Sequence, residues 1–136
     1  MATHKLEERR LDPGRIARSL NRSEVRREIH LHLCGLFPKG ESATEISETT
    51  GYDERSVIGA LIGDGDRYKP EDSLVTVGLV TVKEEKFHGQ NVMIFSATSN
   101  GNDVDELLRN YARHDNLLAR LKEYVKKLEG KKWKKQ

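Results

Sequence analysis

A repeat of apolar residues near the carboxyl end constrains the fold of this chain more than any other feature of its sequence. Successive members are spaced alternately three and four residues apart: Val104, Leu107, Tyr111, His114, Leu118, Leu121, Val125 and Leu128. This spacing places all of them on one face of a helix, and only His114 interrupts the apolar seam. With Asn102 as N-cap and Gly130 as the stop, we predict one helix from about Asn102 to Glu129.

A helix of that length is too long to be buried against a small domain. About 28 residues would extend for ~42 Å, whereas the whole chain has only 136 residues. The sequence therefore favours a coiled coil with the same helix of a second copy, in which the eight seam residues form the dimer interface. The alternative is a long helix that folds back on its own domain.

The amino-terminal residues 1–20 are predicted to be a mobile basic arm. The pair Pro13-Gly14 breaks regular structure there. Five Lys and Arg side chains in this segment could contact phosphates. A solvated tail with no partner is an equal alternative.

A first helix is predicted to begin at Asn21, which can form a capping box with Glu24. Its apolar residues recur at spacings of four and three and define one inward face: Val25, Ile29, Leu33 and Leu36. Such spacing is typical of an amphipathic helix. The sequence Phe-Pro-Lys-Gly at 37–40 ends it.

The next two helices have the spacing of a helix-turn-helix motif. Ser42 and Glu45 predict a capping box for a short helix that ends at Gly51, and Asp53 caps a third helix. Relative to the turn glycine, the motif requires an apolar residue five positions earlier, a small residue four earlier and an apolar residue six later. These positions hold residues of the required type: Ile46, Ser47 and Val57. The third helix is expected to turn three side chains inward: Val57, Ala60 and Leu61.

Two runs rich in β-branched residues follow the third helix and predict a β-hairpin. The first run reaches from Leu74 to Phe87 and the second from Val92 to Ala97. The polar sequence His-Gly-Gln-Asn at 88–91 joins them as a turn. Three helices followed by such a hairpin have the order of a winged helix.

Residues 21–97 resemble a winged helix-turn-helix domain of the kind found in prokaryotic, particularly archaeal, transcriptional regulators. The resemblance rests on short segments: Glu45-Ile46-Ser47, Thr50-Gly51-Tyr52, Arg55-Ser56-Val57, Leu61 and Gly78-Leu79-Val80. One departure is the segment 63–72, which is inserted before the Gly-Leu-Val run and either lengthens or displaces the recognition region.

The expected fold class is α+β, a winged helix-turn-helix domain followed by a long coiled-coil helix. The expected divisions are a flexible basic arm (1–20), a winged helix DNA-binding domain (21–97), and a dimerisation helix with a basic tail (98–136). No apolar run approaches the ~18 residues that would span a bilayer, so we expect a soluble, cytoplasmic, nucleoid-associated protein. The single cysteine, Cys34, excludes an intramolecular disulfide.

The resemblance implies sequence-selective binding of double-stranded DNA by a homodimeric transcriptional regulator. The third helix would enter the major groove, where Arg55 and Ser56 match the family positions that reach base edges or phosphate. Other candidate contacts lie at the start of the first helix, in the inserted segment and on the wing: Arg22, Arg26, Arg67, Lys69, Lys86, His88, Gln90 and Asn91.

Two further functions stay open, and the charge distribution bears on the first of them. Net charge is +3 over residues 1–36, −5 over 37–101 and +4 over 102–136. The acidic middle segment argues against tight DNA binding, because phosphate contacts supply most of the affinity. One alternative is a winged helix that serves protein–protein contact in a transcription or chromatin assembly. The other is a regulator whose inserted segment or dimer interface holds an effector.

An enzyme, a cofactor or a metal site is not expected. The sequence has no phosphate-binding glycine loop and no G-x-S-x-G motif. His30 and Cys34 share a helical flank, but two ligands do not make a closed metal site, so a buried polar flank is the better interpretation. The Asp64-Gly-Asp66 sequence lacks the glycine and the bidentate glutamate of a calcium loop.

Overall fold

The protein is an α+β structure in a computed structural model that describes residues 11–110 and 117–134. The helices are α1 (Pro13–Arg22), α2 (Glu24–Leu36), α3 (Ala43–Thr50), α4 (Glu54–Ile62), α5 (Ser99–Asn110) and α6 (Leu117–Lys134). The strands β1 (Val80–Phe87) and β2 (Gln90–Ala97) form an antiparallel hairpin, and a short 3-10 helix covers Pro70–Asp72. The predicted α+β class is confirmed. The first ten residues of the predicted arm lie outside the described residues.

Helix α1 lies where the sequence analysis predicted a mobile arm. Pro13 occupies the first turn, a position where its missing N–H leaves no hydrogen bond unmade. Asp12 caps the helix, because its Oδ1 accepts the Arg15 N–H at 3.2 Å. Ile16 and Leu20 are fully buried. The arm prediction is therefore wrong for this segment: proline there starts a helix that completes the core.

The N-cap of helix α2 lies two residues later than predicted. Ser23 is the N-cap, and its Oγ accepts the Arg26 N–H at 3.1 Å. Asn21 belongs to the last turn of α1, so the predicted cap at Asn21 is wrong. The predicted inward face is confirmed at its centre, where Ile29 and Leu33 are fully buried.

The local signals for α3 and α4 are confirmed in detail. Ser42 Oγ accepts the Glu45 N–H at 3.2 Å, and the Ser42 N–H donates to Glu45 Oε1 at 2.9 Å. Gly51 ends α3 with a φ of 86°, the left-handed conformation that favours glycine. Asp53 Oδ1 accepts the Ser56 N–H at 2.7 Å and caps α4. The apolar residues predicted to face the core are buried: Ile46, Val57, Ala60 and Leu61.

The hairpin turns through two residues rather than four. His88 has a φ of 52° and Gly89 a φ of 79°, the positive pair of a type I′ turn. Phe87 pairs with Gln90 across the turn, and Asn91 already lies within β2.

A one-residue bridge ties the hairpin to the loop between α2 and α3. The Glu41 N–H donates to Phe95 O at 2.9 Å, and the Phe95 N–H donates to Glu41 O at 2.8 Å. Gly40 is required beside this bridge, because a Cβ atom there would overlap the Phe95 carbonyl. Phe95 is itself almost fully buried, so the hairpin is anchored in the core at this end.

The carboxyl-terminal seam is divided between two helices that fold back on each other. The Tyr124 hydroxyl donates to Asp103 Oδ2 at 2.9 Å, and its oxygen lies 3.1 Å from Asn100 Oδ1. In one continuous helix, residues 24 positions apart would be separated by about 36 Å. The prediction of a single helix is therefore wrong, and the segment packs on its own domain, with α6 against α1. Gly130 does not stop α6, which continues to Lys134.

A buried histidine joins α2 to α5. His30 Nε2 lies 3.0 Å from Gly101 O and 3.3 Å from Cys34 Sγ. Since a carbonyl can only accept, Nε2 carries the hydrogen. Burial lowers the pKa of His30 below its ordinary value of 6.5, although the Gly101 carbonyl and the charge of Asp105 act in the opposite direction.

We expect the protein to lose stability as the pH falls below about 6.5, and His30→Gln to reduce that loss. The unfolded histidine binds a proton in this range while the buried ring does not, so lower pH favours the unfolded state. Glutamine can donate an amide hydrogen to Gly101 O without titrating. Urea midpoints of both proteins between about pH 8 and pH 5 measure the effect. Parallel pH dependences would contradict it.

Candidate nucleic-acid interface

The turn between α3 and α4 is held by a side chain as well as by its glycine. Ser47 Oγ donates to Tyr52 O at 2.6 Å, across the turn. Ile46 and Val57 are fully buried on either side of it. The small residue that the motif requires at position 47 therefore also fixes how α4 leaves the turn.

The first turn of α4 carries an exposed arginine among carboxylates that have structural roles. Arg55 is exposed and Ser56 is half-buried. Glu54 Oε1 accepts the Thr44 Oγ1 hydrogen at 3.0 Å, which links α4 to α3. Hydrogen bonds from Ser56 hold the pKa of the Asp53 carboxyl below its usual value. Each carboxylate has a structural role, because Asp53 caps α4 and Glu54 links α4 to α3.

The inserted segment does not lengthen α4, which ends at Ile62. The segment closes on itself, because Asp64 Oδ1 accepts the backbone N–H of Asp66 at 2.9 Å and of Tyr68 at 3.0 Å. These donors hold the pKa of Asp64 below its usual value. Tyr68 then packs directly on Gly59 of α4, where any Cβ atom would overlap its ring.

This loop places a second arginine beside the start of α4. Arg67 and Arg55 are both close enough to Asp53 for their positive charges to lower its pKa, as smaller contributions than the capping hydrogen bonds. Arg67 is exposed, as is Lys69. The predicted contacts at 55 and 67, twelve residues apart in sequence, thus share one acidic neighbour.

Arg26 is not a surface contact. Only 5% of the residue is exposed, and its Nε donates to Ser19 O at 2.8 Å. It lines a cavity of about 390 Å³ between the start of α2 and the inserted segment, here named the Arg26 cavity. The cavity gathers four of the predicted contact residues: Arg22, Arg26, Arg67 and Lys69.

The hairpin presents its predicted contact residues to solvent. All of them are exposed: Lys86, His88, Gln90 and Asn91. Phe87 is not among the predicted contact residues, but it is 65% exposed and meets the His88 ring edge-on at a centroid distance of 4.9 Å. Phe87 directly precedes the turn, and this position could have indicated from the sequence that its side chain lies at the exposed tip of the hairpin.

The predicted dimer seam is partly occupied within the chain. Val104 and Leu121 are fully buried in the core, so neither is open to a partner chain. The remaining described members are half-buried or exposed: Leu107, Leu118, Val125 and Leu128. Of these, Leu118 is the most open, at 40% exposure. Tyr111 and His114 lie outside the described residues.

Neither a metal site nor a membrane span is found in the described ranges. Residues 11–110 and 117–134 contain no group of three or more His, Cys, Asp or Glu side chains that could hold a metal ion. Within the same ranges, no helix combines the length and apolar character needed to cross a bilayer.

Comparisons with known proteins give a family and one uncharacterized relative. The model of the EarA-like family matches residues 16–108, from α1 into α5. An uncharacterized protein of Methanocaldococcus jannaschii is 35% identical over 99 residues, which span 73% of this chain and 85% of that protein. No solved structure matches this chain at a significant level.

Proposed function

The chain belongs to the EarA-like family, and we propose that it binds double-stranded DNA sequence-selectively as a transcriptional regulator. In this proposal α2, α3 and α4 form a helix-turn-helix with α4 as the recognition helix, and the hairpin is the wing. The order of the elements supports it, as does the bridge from Glu41 to Phe95 that fastens the hairpin to the helices.

The observation that carries the proposal is the exposed first turn of α4. Its inward side is fixed by Val57 in the core, so Arg55 is left free to face outward from a rigid helix. An arginine in this position of a recognition helix can form two hydrogen bonds with O6 and N7 of guanine in the major groove. Arg67, beside the same turn, adds positive charge for a neighbouring phosphate.

The acidic residues near α4 reduce affinity without excluding DNA. Asp53 and Glu54 repel phosphates, but both are oriented by the Ser56 amide and the Thr44 hydroxyl. The two carboxylates therefore have structural roles at the start of α4 and are not evidence of an acidic binding surface. A single domain of this charge is expected to bind weakly and to depend strongly on salt.

The wing supplies contacts of a different kind. Lys86 and His88 lie at the exposed end of the hairpin, next to its type I′ turn. Side chains at such a tip contact the backbone or the minor groove, where the pattern of base edges is degenerate. The wing is therefore expected to contribute affinity rather than sequence discrimination.

We expect Arg55→Ala and Lys86→Ala to weaken DNA binding in different ways. Removal of Arg55 should cost about 1–3 kcal/mol on the preferred sequence and relax selectivity at one base pair. Removal of Lys86 should weaken all sequences nearly equally and reduce the salt slope by about one. A duplex enriched from a random pool and an unrelated duplex, titrated by fluorescence anisotropy at several salt concentrations, give both quantities.

A matched control tests whether loss of charge alone explains these effects. Lys122→Ala removes one exposed positive charge on α6, outside the proposed contacts. It should leave the affinity ratio of the two duplexes unchanged. The recognition assignment is wrong if Arg55→Ala preserves that ratio as well.

A second candidate, a protein-binding module, is favoured by the apolar side chains of the hairpin. Phe87 on β1 and Met93 on β2 are 65% and 49% exposed. Aromatic and methionine side chains are enriched where proteins meet. The absence of salt-dependent binding to any duplex in the same titration would favour this candidate.

The homodimer remains a prediction, with fewer seam residues in its interface. Its seam can no longer include Val104 or Leu121, which the chain buries itself. Leu118, Val125 and Leu128 are the described seam residues that retain exposure on α6. A dimer would therefore be built on this part of α6 rather than on four continuous heptad pairs.

A further inference from the structure

The Arg26 cavity contains a buried positive charge that uses only part of its hydrogen-bonding capacity within the described residues. Arg26 is 5% exposed, and its Nε donates to Ser19 O at 2.8 Å. Among the described residues, no hydrogen bond or ion pair involves its two terminal nitrogens. No fully buried side-chain nitrogen or oxygen in these ranges lacks a partner, so the two terminal nitrogens retain some contact with solvent, and Arg26 is one of the residues that line the cavity.

The carboxylate with the largest electrostatic effect on this guanidinium, Asp72, forms an ion pair with Arg18 instead. Asp72 lines the same cavity and attracts Arg26 electrostatically, but its Oδ1 accepts the Arg18 Nε hydrogen at 3.0 Å. Loss of solvent is the largest influence on Arg26 and lowers its pKa. A buried guanidinium that has lost most of its solvent and has no carboxylate in direct contact is stabilised by an anion that can reach it.

The rest of the lining adds positive potential. Arg22, Arg67 and Lys69 contribute three further cations, against one additional carboxylate, Glu24. The first turn of α2 also lines the cavity through Ser23, the N-cap of a helix of 13 residues. The amino end of a helix carries partial positive charge and unpaired N–H groups that favour anions.

We propose that the Arg26 cavity binds a small phosphorylated ligand, with the terminal nitrogens of Arg26 donating to its phosphate. A guanidinium fork matches the paired oxygens of a phosphate, and several cations around one cavity suit a group with more than one negative charge. The volume of about 390 Å³ lies within the range of small-molecule sites.

The depth of Arg26 distinguishes this ligand from the DNA backbone. Phosphates of a duplex meet cations that project from a protein surface, whereas Arg26 is 5% exposed and lies among the residues that line the cavity. The ligand proposal does not depend on DNA binding. It also gives the inserted segment a role, since Arg67 and Lys69 both come from that loop.

Titration of the full chain with pyrophosphate, followed by amide chemical shifts in ¹H–¹⁵N NMR spectra, tests the proposal. Ionic strength is held constant with sodium chloride. We expect saturable shifts concentrated at the first turn of α2 and in the loop 63–72. The double variant Arg67→Ala/Lys69→Ala, which changes exposed residues, should bind at least tenfold more weakly.

Two further variants separate a specific site from general charge. Arg26→Lys keeps the positive charge but loses the guanidinium fork, and it should also weaken binding about tenfold (~1.4 kcal/mol). Lys39→Ala/Lys83→Ala removes two exposed charges outside the cavity and should leave the pyrophosphate affinity unchanged.

Three results would overturn the proposal. The first is the absence of saturable shifts, and the second is equal weakening in the Lys39→Ala/Lys83→Ala control. The third is displacement of pyrophosphate by a random duplex together with a matching loss of duplex affinity in Arg26→Lys, which would assign the cavity to a backbone phosphate. Pyrophosphate binding that persists when duplex DNA is bound would support a separate ligand.

Discussion

Replacement of Leu121 by alanine is expected to lower the free energy of unfolding by about 2–5 kcal/mol. Leu121 is fully buried in the same core cluster as Ile16, Leu20 and Val104. These residues come from α6, α1 and α5, so the leucine joins the last helix to the rest of the chain. Truncation leaves a cavity among residues that cannot all relax into it.

Leu118→Ala is the matched control, because it makes the same substitution one turn earlier on α6. Leu118 is 40% exposed in the single chain, so at protein concentrations at which the chain is monomeric its replacement should cost less than about 0.5 kcal/mol. In an intermolecular coiled coil the two leucines would both face the partner, and both substitutions would be costly. Urea unfolding at two protein concentrations separates the cases, since the stability of an obligate dimer depends on concentration. Equal losses that vary with concentration would contradict the folded-back arrangement.

The seam shows what a heptad pattern does and does not determine. The spacing correctly indicates one apolar face, and Val104 and Leu121 are buried as that face requires. It does not determine what covers the face, because a helix packed on its own domain uses the same 3-4 spacing as one packed on a second chain. The contact from Tyr124 to Asp103, which identifies the reversal, depends on tertiary structure.

Signals that act within a few residues were the most predictable. The Ser42–Glu45 capping box and the left-handed Gly51 need only their own turn, and both are present. The Pro13-Gly14 pair indicates a break in regular structure, but a proline in the first turn of a helix gives the same local signal. Asp12 immediately before it was the sign of a helix start.

The same distinction between local and tertiary signals applies to the candidate site. Arg55 could be placed on the outer face of α4 because Val57 and Leu61 define its inner face. The Arg26 cavity could not be predicted, since residues 22–26 meet residues 67–72 only after α1 and the inserted segment have packed. Nothing in the local sequence distinguishes the buried Arg26 from exposed arginines such as Arg55 and Arg67.

Gly101→Ala is expected to destabilise the protein by about 1–3 kcal/mol, although alanine is the better helix former. A Cβ atom at Gly101 would overlap the Leu79 carbonyl oxygen and come within 3.0 Å of its carbon. That carbonyl cannot move freely, because it accepts the Thr98 N–H at 3.0 Å. Displacing α5 instead would lengthen the hydrogen bond from His30 to Gly101 O, now 3.0 Å.

The same substitution at Gly130 supplies the control. Gly130 lies inside α6 with nothing within 4 Å of an added Cβ atom. Gly130→Ala should therefore stabilise the protein, by about 0.5–1 kcal/mol. Opposite signs in urea unfolding of the two variants would show that contact with Leu79, not helix propensity, decides the outcome at Gly101. If Gly101→Ala were also stabilising, α5 could not lie as close to the Leu79 backbone as described.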